Sequence, residues 1–189
     1  MKNYLEDKTF EDLDFSKTEL QKGEYDNCVF KNCNLADIDL NNFAFADCEF
    51  NDCNMSNVKL QNTSFKNVRF INCKMLGLHF ENCNDFLFTV RFENCALNIS
   101  SFYKRKMKNT LFRNCSLKEV DFTEADLSIS IFDDCNLADA IFENTNLEKA
   151  DFRSASNYNI DPENNRIKKA KFSLNGLPGL LSKYNINVE

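Results

Sequence analysis

The sequence has no tryptophan, one histidine, two prolines and only four glycines in 189 residues. Four glycines leave no glycine-rich phosphate loop and no nucleophile elbow, and a single histidine, His79, leaves no paired-histidine metal motif. No run of about eighteen apolar residues is present, so no segment is fitted to cross a membrane as a helix. The opening MKNYLEDKTF lacks the apolar core of a secretory signal. These absences predict a cytoplasmic protein with no catalytic residues, no cofactor, no small-molecule substrate and no membrane partner.

What the chain does have is a large apolar residue at every fifth position. The series runs Phe10, Phe15, Leu20, Tyr25, Phe30, Leu35, Leu40, Phe45, Phe50 and onward to Phe80, and after a two-residue slip it resumes at Leu87 and Phe92 and continues to Phe152. A helix places apolar residues three and four apart, and a strand places them two apart. Five residues would carry a side chain off a helical stripe and across to the opposite face of a strand. The chain must therefore turn a corner in each repeat, so that every centre points into one interior. Such self-similarity marks a solenoid.

A longer period lies inside the first. Every fourth centre gives a column of phenylalanines: Phe10, Phe30, Phe50, Phe70, Phe92, Phe112, Phe132 and Phe152. A four-sided coil of twenty residues would stack them on one side. About seven coils at ~4.8 Å each predict an all-β rod roughly 35 Å long. The residue two before each centre is usually small or β-branched, and the residue two after is often Asn or Asp, as at Asn27, Asn32, Asp37, Asn42 and Asp47. Short polar side chains of this kind suit tight corners.

All nine cysteines occupy the small inward position, six of them in one column: Cys33, Cys53, Cys73, Cys95, Cys115 and Cys135. A linear ladder does not offer the tetrahedral convergence that zinc needs, so the thiols are expected to be reduced packing residues and no metal is expected. His79 should point outward beside Phe80.

Two interruptions stand out. The slip at 84–86, in CNDFLFTV, predicts a bulge whose tip, Asp85 and Phe86, could contact a partner. Arg105 fills a slot that is elsewhere small, inside the basic stretch YKRKMK (103–108). An unpaired Arg cannot stay in such an interior, so this corner is expected to open out or to send the guanidinium around to solvent. The stretch could also be read as a nucleic-acid patch, although the chain as a whole is acidic.

The segments CNLAD (33–37 and 135–139), ADLSI (125–129) and ADFRS (150–154) resemble pentapeptide repeats. The resemblance implies a right-handed quadrilateral β-helix, with an N-terminal cap at 1–9, the β-helix at 10–156 and a C-terminal module at 157–189. Asn and Asp stand here where glycine could have served the corners. The tail IDPENNRIKKAKFSLNGLPGLLSKYNINVE and the segment MLGLHF (75–80) resemble the Qnr-type and peptide-antibiotic-immunity subset of that family. That likeness implies a short C-terminal helix that caps the rod and builds a homodimer, here through Phe172, Leu174, Leu177, Leu180 and Leu181. It also implies a DNA mimic that protects DNA gyrase or topoisomerase IV from quinolone-like or peptide poisons without binding nucleic acid itself. The competing expectation is a structural or adaptor solenoid for another protein.

A DNA mimic needs carboxylates arrayed on a rigid surface. The net charge of −6 is unevenly spread: residues 1–58 carry −8, 59–113 carry +7, 114–163 carry −9 and 164–189 carry +4. The third block lies nearest the tail, and Asp121, Glu124, Asp126, Asp133, Asp134, Asp139 and Glu143 are its candidate partner-binding residues.

Overall fold

The structure, a computed structural model, describes residues 3–186. Residues 1–2 of the expected N-terminal cap and 187–189 of the C-terminal module lie outside the described residues. The chain winds into a parallel β-solenoid of about seven turns with a short helix at its C-terminal end. One side is a seven-stranded sheet of β2 (Thr9–Glu11), β4 (Val29–Lys31), β6 (Glu49–Asn51), β8 (Val68–Ile71), β9 (Val90–Glu93), β10 (Leu111–Arg113) and β11 (Ile131–Asp133). The side preceding it carries a four-stranded sheet of β1 (Asn3–Glu6), β3 (Gly23–Asp26), β5 (Ala44–Ala46) and β7 (Ser64–Lys66). The other two sides are joined by single bridges, such as Asn34 with Asn54 and Asp121 with Ile141.

The phenylalanine column forms as the period demands. Phe30 pairs with Phe50, Phe50 with Phe70, Phe70 with Phe92 and Phe92 with Phe112 across neighbouring strands. Their rings stack nearly parallel, at 4.6 Å for Phe30 and Phe50 and 5.4 Å for Phe70 and Phe92. A second stack, Phe80, Phe102, Phe122 and Phe142, meets the first edge-on, which suits the ring quadrupoles. All nine cysteines are buried and free, and most of their thiols donate weakly to carbonyls: Cys53 Sγ lies 3.2 Å from the Asn51 oxygen and 3.5 Å from that of Phe30. Burial pushes the Cys48 thiol up to about 12, so it stays protonated.

The corners take the left-handed conformation. Asn27, Asn42, Asp47 and Asn62 have φ of 49°, 63°, 52° and 57°. Their side chains also bond from coil to coil, as where Asn67 Nδ2 donates to Asp47 Oδ1 at 2.6 Å and Asn72 Nδ2 to Asp52 Oδ1 at 3.0 Å. Past the slip the same position holds Ile99 and Ile129, each at φ 54°. A β-branched residue is strained there, and Ile99 is 57% exposed, so packing returns little. Ile99→Asn should therefore raise stability by about 1 kcal/mol, read as a higher denaturation midpoint. A lower midpoint would show that Ile99 is held by packing after all.

The slip corrects two expectations. Leu87 does not continue the column of centres: it is 52% exposed at φ 56°, and Phe88 turns inward between Phe65 and Phe80, 6.4 Å from each ring. The two extra residues are absorbed between Asn84, whose N–H reaches the Thr63 carbonyl, and Thr89, whose N–H reaches that of Phe65. That detour advances the inward position by one residue. Arg105 does not open its corner either. It is 3% exposed and lies under the detour, with its guanidinium carbon 4.1 Å from the Phe88 ring centroid. One terminal nitrogen donates to the Cys83 carbonyl at 2.9 Å and to Asp85 Oδ1 at 2.5 Å, and the other donates to the Asn84 carbonyl at 3.1 Å. The inserted loop thus supplies the partners whose absence would have forced the side chain out.

Beyond Phe152 the period loosens. Tyr158 and Ile160 fill the interior where the repeat would have put positions 157 and 162. Helix α1 (Pro178–Leu181) starts on proline, whose missing N–H costs nothing at a first turn. Ile160 N–H donates to the Gly179 carbonyl at 2.9 Å and ties α1 to the last coil.

Candidate protein-interaction surface

Residues share a side of the rod only when they are about twenty apart, because each pentapeptide occupies a different side. The seven acidic candidates therefore separate. Asp121 and Glu143 flank the buried Phe122 and Phe142 on the outside of one side, and Glu124 and Asp139 stand at its corners. Asp126 lies on the next side beside Leu127. Asp133 and Asp134 belong to the seven-stranded side and its corner, where Asp133 is engaged by Arg113 Nε at 3.2 Å and Ser154 Oγ at 3.1 Å.

The side that holds Asp121, Glu124, Asp139 and Glu143 is more acidic than the linear reading gave. Three successive coils present EVDFTE (119–124), DAIFEN (139–144) and NIDPEN (159–164), with no Lys or Arg among them. Glu119, Asp161 and Glu163 thus join the four. The register holds through the last row, since Asn144 N–H donates to the Asn164 carbonyl at 3.0 Å. Asn165 replaces the usual small inward residue and satisfies its own burial by donating to the Phe142 and Asp161 carbonyls at 2.8 and 3.0 Å.

Local contacts fix this surface. Asp121 Oδ1 accepts from Thr123 N–H at 2.8 Å, and Glu124 meets the Tyr103 hydroxyl at 3.3 Å and Lys104 Nζ at 3.5 Å. At the C-terminal end Lys183 Nζ bridges Asp161 and Glu163, at 2.7 Å to each, and the Tyr184 hydroxyl donates to Glu163 at 2.9 Å. These contacts hold both carboxyls below the usual carboxylate range, chiefly through hydrogen bonding to Lys183. The seven-stranded side is different. Its arginines are mostly paired with acids, Arg69 with Glu49 and Arg113 with Glu93 and Asp133 in adjacent rows, and Arg153 with Asp151 in its own row. The rod therefore carries one predominantly negative side in its C-terminal half.

The tail residues also separate. Phe172 stacks on Phe152 at 5.4 Å, extending the interior column, and meets Tyr158 at a tilt at 5.6 Å, and Leu180 packs on the core. Leu181 is half-buried. Leu174 and Leu177 are 84% and 41% exposed. Gly176 and Gly179 are required by close approach: a Cβ at Gly176 would fall 1.8 Å from the Tyr158 hydroxyl, and one at Gly179 would fall 2.2 Å from the Tyr158 carbonyl oxygen. Among the described residues no three His, Cys, Asp or Glu side chains are placed to hold a metal, and no helix is long and apolar enough to cross a membrane.

A filled parallel coil with five-residue sides and cornered Asn and Asp defines a class of repeat protein. The chain belongs to the pentapeptide-repeat family, whose repeat region matches residues 43–122 and 105–180. Solved structures similar to it include HetL, a pentapeptide repeat protein involved in heterocyst differentiation regulation from the cyanobacterium Nostoc sp. At 11% identity and a TM-score of 0.53, the match covers 91% of this chain and 88% of that one. Another is QnrB1, a plasmid-mediated fluoroquinolone resistance protein, at 16% identity and a TM-score of 0.47, covering 99% of this chain and 100% of that one. At this identity the likeness to HetL speaks for the fold alone. No curated protein matches the chain.

Proposed function

We propose that this protein is a non-catalytic binding protein whose acidic side engages a basic groove on a partner protein, one shaped for nucleic acid. The observation that carries the reading is the three-coil array of Glu119, Asp121, Glu124, Asp139, Glu143, Asp161 and Glu163 on one side of a rigid rod. A groove built for phosphates attracts carboxylates held at fixed spacing, and pre-ordered carboxylates lose little freedom on binding. Among the described residues the interior is filled by apolar side chains, which supports a function carried by the surface. The resemblance of the tail makes a type II topoisomerase the partner we propose. Gyrase supercoiling should then persist, in the presence of a fluoroquinolone or a peptide poison, when the protein is added. No protection across several poisons would overturn the topoisomerase reading and leave an adaptor for another basic partner.

The same reading includes a homodimer built through the exposed Leu174 and Leu177, with Phe172 and Leu180 capping the rod beneath them. Two apolar side chains at a rod end are best removed from water against a second copy about a two-fold axis. Such a dimer would bring the two acidic sides, which end at Asp161 and Glu163, close to its centre. Leu174→Asp with Leu177→Asp should halve the mass in light scattering and leave the melting temperature nearly unchanged. Wild type that is monomeric at high concentration would reject the dimer.

A further inference from the structure

A second surface, on a different side of the rod, is built by the slip. The outer face of the four-stranded sheet presents the column Tyr4, Glu24, Ala44 and Ser64 beside the column Glu6, Asp26, Ala46 and Lys66. Alanines at 44 and 46 leave the middle of this face low. The inserted loop rises beside it and exposes Phe86 by 77% and Leu87 by 52%. Tyr4, Ala44, Ala46, Ser64, Phe86 and Leu87 line a groove of about 220 Å³. That is below the range of small-molecule sites, ~300–1,000 Å³, and it suits one large side chain of a protein partner.

The loop is held rigidly. Arg105 bonds it from inside through Cys83, Asn84 and Asp85, and Phe86 N–H donates to Asn84 Oδ1 at 2.8 Å. The exposed apolar pair is therefore ordered before any partner arrives, which lowers the cost of binding. The rim is acidic: Glu24 and Asp26 line it, Asp47 stands at the adjoining corner, and the Asp85 side chain is 88% exposed although it pairs with Arg105. Lys66 lines the groove on the same face.

We propose that this groove is a docking site for a partner segment that inserts one aromatic or aliphatic side chain against Phe86, Leu87 and the alanine floor, with lysine or arginine on either side of that anchor. Charge complementarity selects the basic flanks, and the groove volume limits the anchor to one. A buried apolar anchor with a polar rim is the arrangement in which interface energy concentrates. The proposal stands independently of the acidic side, which lies elsewhere on the rod.

The test is selection of a random dodecapeptide library on the full-length protein, with counter-selection on the Phe86→Ser, Leu87→Ser variant. Both residues are exposed, so this variant should fold as wild type, checked by circular dichroism and melting temperature. Selected peptides should carry one large apolar residue between Lys or Arg, and should bind the variant at least tenfold more weakly. They should bind a Glu124→Lys, Asp139→Lys, Glu143→Lys protein as they bind wild type, which separates this groove from the acidic side. Arg105→Leu, if it keeps the wild-type spectrum, should weaken the same peptides by loosening the loop. Peptides with acidic flanks, peptides that bind the double-serine variant equally, or no enrichment on wild type would each overturn the proposal.

Discussion

Replacing Phe112 with alanine should cost ~3–5 kcal/mol and divide the unfolding of the rod into two transitions. Phe112 is fully buried and stacks on Phe92 at 5.3 Å and Phe132 at 5.0 Å, and it makes T-shaped contacts with Phe102 and Phe122 at 6.2 and 6.0 Å. Truncation therefore opens a cavity and also breaks aromatic contacts worth ~0.5–1.5 kcal/mol per pair. Each coil of a solenoid touches only its neighbours, so cooperativity depends on the weakest interface between coils. A gap in the middle of the column separates the coils below Phe92 from those above Phe132. Phe10→Ala is the comparison: that ring is only half-buried at the open N-terminal end, and its loss should cost less than half as much with a single transition retained. Calorimetry and denaturant titration with two probes would check both. Equal losses with one transition at both positions would mean that stability is shared along the whole rod.

Much of this fold is legible in the residues because the interior admits few solutions. The Phe30, Phe50, Phe70 and Phe92 column follows from a period that only a four-sided coil can satisfy, and the small slots at Cys53 and Cys115 follow from the space those rings leave. The corner signal is less complete. Asn27 and Asp47 announce a left-handed residue, but Ile99, Lys104, Glu119 and Ile129 take the same φ without it. There the bonds of adjoining coils impose the conformation on whatever side chain occupies the corner. Leu87 and Arg105 depart from the period for one reason. Neither slot alone shows the outcome, because the slip and the arginine, twenty residues apart, meet in successive coils and satisfy each other. A continuous window such as 121–143 does not define one acidic surface, because neighbouring pentapeptides face different ways. Adding twenty to Asp121, Asp139 and Glu143 leads to Ile141, Asn159 and Glu163, and the same step links Glu119 to Asp139. That signal was present in the sequence and recovers the true side of the rod. Tyr158 could not have been placed so, because Gly176 and Gly179 must first bring the tail across it.

Reversing Glu124, Asp139 and Glu143 to lysine should abolish binding to a type II topoisomerase and leave the fold intact. All three are exposed on one acidic side, and lysine already occupies the left-handed corner at Lys104 and Lys149, so the backbone tolerates the change. Lysines facing a groove made for phosphates introduce like-charge contacts that cost several kcal/mol. A micromolar complex is worth only about 8.2 kcal/mol, so that loss moves it out of measurable range. The control carries the same charge change elsewhere: Glu6→Lys, Glu19→Lys and Asp134→Lys also take the formal net charge from −6 to zero. Bulk charge would weaken both variants alike, whereas an aligned surface weakens only the first. Salt separates the effects further, because the screening length shortens from ~10 Å at 0.1 M to ~3 Å at 1 M, and wild-type association should slow across that range. Gyrase affinity and rescue of supercoiling in the presence of a poison are the measurements. If both variants protect as well as wild type, the carboxylates of this side are a solvated surface. The rod would then meet its partner elsewhere, with the groove beside Phe86 as the remaining place to look.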